Sequence, residues 1–514
     1  MKIRTLTHPL TNSLSLFPLF YFQNGAYYDW YAYEPDITSK GVPQDVLTSL
    51  FDTFRNGSYS TTLPVKHVML DAYWMNNLRP DGNCKVNDSF WTLPFPRPEM
   101  LSSELGGAGV ILYNGPQCAE TSYAEDWKLV YSLYWNQEWG SGTLSEIAGV
   151  NSSAFYTSLF SKLSTITNLT GFTQDFLDFH HLLFPAFLED AKGNDAWQSG
   201  QAEAALNAHL PVQYCMAEPS DLLNSVRFNA VTNARASQDY GAGSGSSWRI
   251  ASTSLLLSAI GLRASKDNFW SGSSSTDRGR EPSPFLSGVV TALSHGPVGF
   301  ADKIFEANPD VLLPTINQLG TILHASRPAT WLDAQWHGVG PLAQGDVRLT
   351  HSVINEFLFY SLLAVELGKG IVSSSLTLND LYPLPSASLT YAMWQYNNSA
   401  CFTLNSPASQ CITTVGGPFN GNLIPAPPVP DETLWELWSL SPILSNGKIF
   451  LGEYQKYVAV SPDRFLNLQV LNSQVCLDIV GAPNEMLTIS WISNEVVGMK
   501  DIVLQKDGTL TSCF

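Results

Sequence analysis

Two aspartates stand where carboxyl chemistry is possible. Asp175 closes the short apolar run Gly171-Phe-Thr-Gln-Asp175, and Asp239 follows Arg235 by four residues, just beyond the run Ala230-Val-Thr-Asn-Ala-Arg235. Cleavage of a glycosidic bond needs two carboxyl groups at one sugar. One is ionised and attacks the anomeric carbon, and the other delivers a proton to the leaving oxygen. In a retaining enzyme the two stand about 5–5.5 Å apart. The plain alternatives are a helix cap or loop residue for Asp175 and a structural ion pair for Arg235 with Asp239. Asp178 rivals Asp175. Asp71, Trp74 and Asp302 also close or follow apolar runs; Asp71 has a strand-end cap as its alternative, Trp74 a place in the core, and Asp302 with Lys303 a buried ion pair. Glu218 and Asp221 are loop carboxylates that either meet substrate or are solvated. His180 and His181 are adjacent on a predicted helix, where neighbouring side chains diverge, which argues against a shared metal.

Such residues need a scaffold that gathers strand ends. From about Tyr31 to Leu332 short apolar runs alternate with amphipathic stretches, the pattern of βα units around a parallel sheet. The runs 65–71, 109–114, 171–175, 211–216 and 230–235 each lead into polar residues, as at the C-terminal rim of a barrel. Ala-rich 201–209 predicts a helix before Pro211. Residues 345–514 change to short β-rich runs (358–363, 389–394, 448–454, 457–460, 486–492) between Gly, Pro and Asn turns, with a proline-rich connector at 424–430. This half predicts an antiparallel β-sandwich. Residues 1–24 are read as a leader or the remnant of another domain, 25–344 as the barrel, and 345–514 as the sandwich.

Composition narrows the function class. The formal net charge is −18, which argues against nucleic acid and anionic membrane surfaces as partners and suits a neutral oligosaccharide or glycoside. The 15 Trp, 20 Tyr and 26 Phe residues supply stacking faces as well as core. No apolar stretch is long enough for a membrane helix. Seven cysteines are spread without zinc spacing; Cys401 with Cys411, and Cys84 with Cys118, are candidate pairs. Sequons beginning at Asn56, Asn87, Asn151, Asn168 and Asn397 favour a secretory route over a cytoplasmic one only slightly, because the pattern also arises by chance.

Four blocks in order carry a resemblance. They are Asp29-Trp-Tyr-Ala-Tyr-Glu-Pro-Asp36 leading to Val68-Met-Leu-Asp-Ala-Tyr-Trp74; Tyr214-Cys-Met-Ala-Glu-Pro-Ser-Asp221; Asn233-Ala-Arg-Ala-Ser-Gln-Asp239; and Gly296-Pro-Val-Gly-Phe-Ala-Asp-Lys303. Together they resemble the catalytic barrel of glycoside hydrolase family 36, in particular its raffinose synthase and alkaline α-galactosidase branch. The resemblance implies a (β/α)8 barrel followed by a β-sandwich. It implies Asp175 as nucleophile, Asp239 as general acid/base, and Arg235 as a holder of a sugar hydroxyl and of nearby carboxylates. It further implies Asp71 and Trp74 as substrate contacts, Asp302 as a rim residue, and no metal or cofactor. The family's second aspartate after Asp71 is here Ala72, and its lysine two positions before the nucleophile is Thr173, which opens the question of the sugar. A sugar-binding protein without turnover and an α-glucosidase-like specificity are the alternatives.

Overall fold

The computed structural model describes residues 20–22, 63–65, 67–70, 109–119, 121–137, 140–166, 168–240, 250–272, 275–276, 279–303, 306–337, 346–365, 380–385, 389–396, 413–415 and 435–514. It divides into two compact units, the first holding an eight-stranded parallel sheet with short antiparallel ribbons beside it, and the second a six-stranded and two three-stranded antiparallel sheets.

The parallel strands are β1 (Phe20–Phe22), β2 (His67–Leu70), β3 (Gly109–Asn114), β4 (Leu169–Gln174), β5 (Val212–Tyr214), β6 (Val231–Arg235), β7 (Arg263–Ser265) and β8 (Gly299–Phe300). Each of β1 to β6 pairs in parallel with the next, and β8 pairs with β1. Phe269, just beyond β7, forms a parallel bridge to Phe300 of β8 and so closes the ring. The order is that of a (β/α)8 barrel. Strands covered on both faces read as continuous apolar runs, and all six residues of β3 are buried.

Helices α1 (Gly149–Ile166) and α4 (Ala191–Asn207) pack against each other on the outside of β4. Two glycines permit that approach: a Cβ at Gly149 would collide with the Gly193 carbonyl, and one at Gly200 with the Ser153 amide. Phe160 of α1 stands edge-on to Phe172 of β4, with ring centroids 4.9 Å apart. Between β4 and α4 run two short helices, α2 (Leu177–Leu182) and α3 (Pro185–Glu189), and α5 (Pro219–Ser225) follows β5.

The second unit is the β-sandwich. A six-stranded antiparallel sheet contains β9 (Thr330–Trp331), β10 (Asp346–Ile354), β11 (Phe357–Val365), β12 (Tyr391–Gln395), β13 (Thr413–Val415) and β14 (Trp435–Pro442). Two three-stranded sheets follow. One combines β15 (Ile449–Gly452), β18 (Met486–Ser493) and β19 (Val496–Val503), the other β16 (Phe465–Leu471), β17 (Gln474–Val480) and β20 (Thr509–Cys513). Phe359, Phe450, Phe465 and Ile489 bring side chains from all three sheets into one buried cluster. The β18–β19 turn needs two positive φ angles, and Asn494 and Glu495 adopt 51° and 61°. Buried Arg464 donates to Glu453 Oε2 at 2.8 Å and to both carboxylate oxygens of Glu485 at 2.6 and 3.0 Å.

Several expectations change. Phe20–Phe22, read within a leader or remnant, is a strand of the parallel sheet. The antiparallel sheet begins at Thr330, ahead of the expected limit at 344/345. The run 457–460 is not a strand. Its side chains are buried, but its backbone bonds go elsewhere: Tyr457 N–H donates to Pro314 O, and Glu453 N–H to Ala459 O. Cys476 pairs with Cys513, cross-strand between β17 and β20. Cys84, Cys401 and Cys411 lie outside the described residues, as do the connector 424–430 and the glycine-rich 241–247.

Candidate active site

Alternation along a strand places every second side chain inside a barrel. On β4, β5 and β7 this yields a lower layer of Thr173, Gln213 and Ser265. Thr173 Oγ1 donates to Gln213 Oε1 at 3.1 Å, and Gln213 Nε2 donates to Ser265 Oγ at 2.8 Å. Two residues further along these strands, at the C-terminal rim, come Asp175, Cys215 and Asp267, joined by Arg235 of β6. Tyr113 of β3 donates from its hydroxyl to Cys215 Sγ at 3.2 Å.

Asp175 is 4% exposed. Burial pushes its carboxyl above the ordinary aspartate range, and the Arg235 charge with hydrogen bonds from Tyr113 and Cys215 pulls it part of the way back. Arg235 ties the rim together. Its Nη2 lies 2.6 Å from Asp239 Oδ1, and its Nη1 lies 3.5 Å from Asp267 Oδ2. The Asp239 side chain is 68% exposed, so the guanidinium whose charge acts on buried Asp175 also pairs with an open carboxylate.

The backbone of Asp175 is seated from both sides. Its N–H donates to Asn114 O of β3 at 2.8 Å, and its carbonyl accepts from Gln174 Nε2 at 3.0 Å. Gln174 points outward, where its Oε1 accepts from Asn114 Nδ2 at 2.8 Å and from Gln201 Nε2 of α4 at 2.6 Å. The residues that follow Asp175 and Cys215 are both left-handed: Phe176 has φ 55° and Met216 has φ 49°. Such a conformation costs a side-chain-bearing residue about 1–2 kcal/mol and is concentrated at functional sites. The two turns are linked by the Asp178 N–H, which donates to Met216 O at 2.9 Å.

The other sequence candidates fall into distinct groups. Asp178 is half-buried; burial and then the neighbouring Asp175 carry its carboxyl up to about 6. Asp302 is 2% exposed, and its oxygens accept from Ser271 Oγ at 2.7 Å and Gly272 N–H at 2.6 Å. Burial carries it, too, up to about 6. Asp71 and Trp74 lie outside the described residues. Asp221 is not a solvated loop carboxylate. It is buried in the first turn of α5, accepting from the Glu218 N–H and from Gln198 Nε2, with His181 Nε2 at 2.9 Å. The adjacent histidines do diverge: His180 packs edge-on to Trp197 and faces Glu146, whereas His181 faces Asp221. Among the described residues no group of three or more His, Cys, Asp or Glu is arranged to hold a metal ion.

Asp267, Gln174 and Tyr113 were not singled out from sequence. Asp267 carries the same signal as Asp175, an acidic residue two positions past the last inward strand residue, in Leu262-Arg-Ala-Ser-Lys-Asp267.

No family model matches this chain, and no curated protein does. Among solved structures, the GH36 α-galactosidase AgaA of Geobacillus stearothermophilus aligns over 83% of this chain and 55% of its own length, with 11% sequence identity and a TM-score of 0.50. Two substituted forms of AgaA, in complex with raffinose and with stachyose, align with the same figures. The chain thus spans little more than half the length of that protein, and at this identity the likeness is one of fold: a barrel followed by a sandwich.

Proposed function

We propose that this chain is a retaining glycosidase or transglycosidase acting on α-linked sugars. The observation that carries the reading is the placement of Asp175 and Asp239, from two strand ends of one barrel rim, around a single guanidinium. Asp175 is the nucleophile. Its backbone is fixed by β3 and by Gln174, and Arg235 supplies the cation that favours its ionised form. Asp239 is the general acid/base, exposed where a leaving group departs and an acceptor arrives. An Asp175 oxygen bonds to the anomeric carbon while the bond to the leaving oxygen breaks, and that oxygen takes the Asp239 proton. Water or a second sugar then gives a proton back to Asp239 as its oxygen displaces Asp175. These steps use protein groups throughout.

The likeness of fold to an α-galactosidase studied with raffinose and stachyose supports an oligosaccharide substrate. Galactose is not implied by position 173. Thr173 commits its hydroxyl to Gln213, so a hydroxyl contact that a lysine makes from there has no counterpart in this side chain. A panel of aryl α-glycosides selects the sugar. With the preferred one, Asp175→Ala and Asp239→Ala are each assayed in azide. Loss of the nucleophile gives the β-glycosyl azide, and loss of the acid/base gives the α-glycosyl azide, because only the second passes through the glycosyl-enzyme. Unchanged turnover in either variant rejects that residue's role, and sugar binding without turnover by the unsubstituted protein across the panel rejects the enzyme reading.

A further inference from the structure

Asp239 is exposed and reaches past the end of β6, so something has to hold the segment that carries it. The held side is visible. Ala236 N–H donates to Ser265 O at 2.8 Å, extending the β6–β7 pairing by one bond. Next, the Asp267 N–H donates to Ser237 Oγ at 2.8 Å, and the Asp267 carboxylate accepts the Tyr240 N–H at 2.7 Å while standing 3.5 Å from Arg235 Nη1. Asp267 therefore touches the residues on both sides of Asp239 and the guanidinium that Asp239 pairs with. Its neighbours add to the clasp. Lys266 Nζ lies 5.0 Å from the centre of the Tyr240 ring, and Trp270 meets that ring edge-on at 5.7 Å. A carboxylate 12% exposed that accepts a backbone N–H and stands against a guanidinium, in a loop whose own backbone N–H bonds Ser237, is placed to fix geometry.

We infer that Asp267 is a positioning residue for the proton transfer by Asp239, holding both its loop and the orientation of Arg235. The inference rests on the acid/base role proposed for Asp239. Asp267 does not touch the sugar; it acts through Ser237, Tyr240 and Arg235. A general acid contributes about 10²- to 10⁴-fold, and a misplacement of about 1 Å can cost about 10²-fold. That loss falls on substrates whose leaving group needs the proton.

The test compares two aryl α-glycosides of the preferred sugar, a nitrophenyl and a dinitrophenyl, the second leaving without protonic help. In Asp267→Asn, which keeps an acceptor for the Tyr240 N–H but removes the charge, kcat/KM is expected to fall about 10- to 100-fold on the nitrophenyl substrate. On the dinitrophenyl substrate the expected fall is less than about threefold, with little change in KM. Ser237→Ala, which removes one strut of the clasp, repeats the pattern in smaller measure if the asparagine variant fails to fold. Equal losses on both substrates, or no loss on either, overturn the inference. Asp239→Ala is run alongside. If it shows no leaving-group dependence the acid/base reading itself falls; if it does and Asp267→Asn does not, only the positioning role falls.

Discussion

Gln174 offers a sharp test of how Asp175 is held. Its side chain is fully buried and makes three hydrogen bonds: one donated to the Asp175 carbonyl and two accepted, from Asn114 and Gln201. Leucine fills a similar volume and makes none of them. Asn114 keeps a long contact of 3.4 Å to the Tyr156 hydroxyl, so two groups, the Asp175 carbonyl and Gln201 Nε2, lose the bonds that Gln174 provides. At about 1–3 kcal/mol for each of the two polar groups left without its bond, less about 1 kcal/mol returned by leucine burial, Gln174→Leu costs about 1–5 kcal/mol. For a unit of this size that is a fall of about 2–20 °C in Tm. Turnover of the molecules still folded falls about tenfold as the Asp175 backbone loosens. Denaturant unfolding followed by fluorescence, with activity measured well below the transition, checks both. A double-mutant cycle with Gln201→Leu sharpens the test, because removing both ends of a buried bond costs less than the sum of the two single changes. A cost below about 1 kcal/mol, or strict additivity in the cycle, would falsify the reasoning.

The remaining predictions concern charge. Arg464→Met strips the cation from two buried carboxylates, Glu453 and Glu485, and is expected to cost about 3–5 kcal/mol in denaturant unfolding; a cost near zero would mean those carboxylates find other partners. Asp178 and Asp302 rise to about 6 in the folded chain from an ordinary 3.8, so the folded state binds more protons than the unfolded one in that window. Stability from this source is full below about 4 and falls as pH rises towards 6. Asp302→Asn flattens part of that slope in unfolding curves taken across the window, and an unchanged slope rejects the assignment.

What was legible in the sequence follows the range of the forces involved. Strand ends announce themselves locally, because a parallel strand in a barrel is an apolar run that must stop where polar residues take over. Asp175, Arg235 and Asp239 were visible for that reason, and so was the change from βα alternation to short β runs. Residues whose role depends on a neighbouring strand were not. Asp267 becomes notable only when β7 lies beside β6 and its carboxylate falls against Tyr240 and Arg235. Gln174 is read from sequence as a strand residue. Its outward direction matters only because α4 brings Gln201 to it. The buried run 457–460 misled for a related reason: apolar character reports burial, and burial is not pairing. The Cys476–Cys513 bond joins strands 37 positions apart, which no local spacing reveals.

The hydrogen-bonded row of Thr173, Gln213 and Ser265 lies directly beneath the rim residues. Beneath Asp175 the hydroxyl of Thr173 and the amide of Gln213 are engaged with one another and with Ser265. On the proposed chemistry, a solvent molecule meant for a sugar esterified to Asp175 would come from the rim, the side by which the first product leaves. Departing and arriving molecules would then share one threshold beside Asp239. Whether the sugar would end on water or on another sugar is, on this chemistry, a contest of occupancy at that threshold.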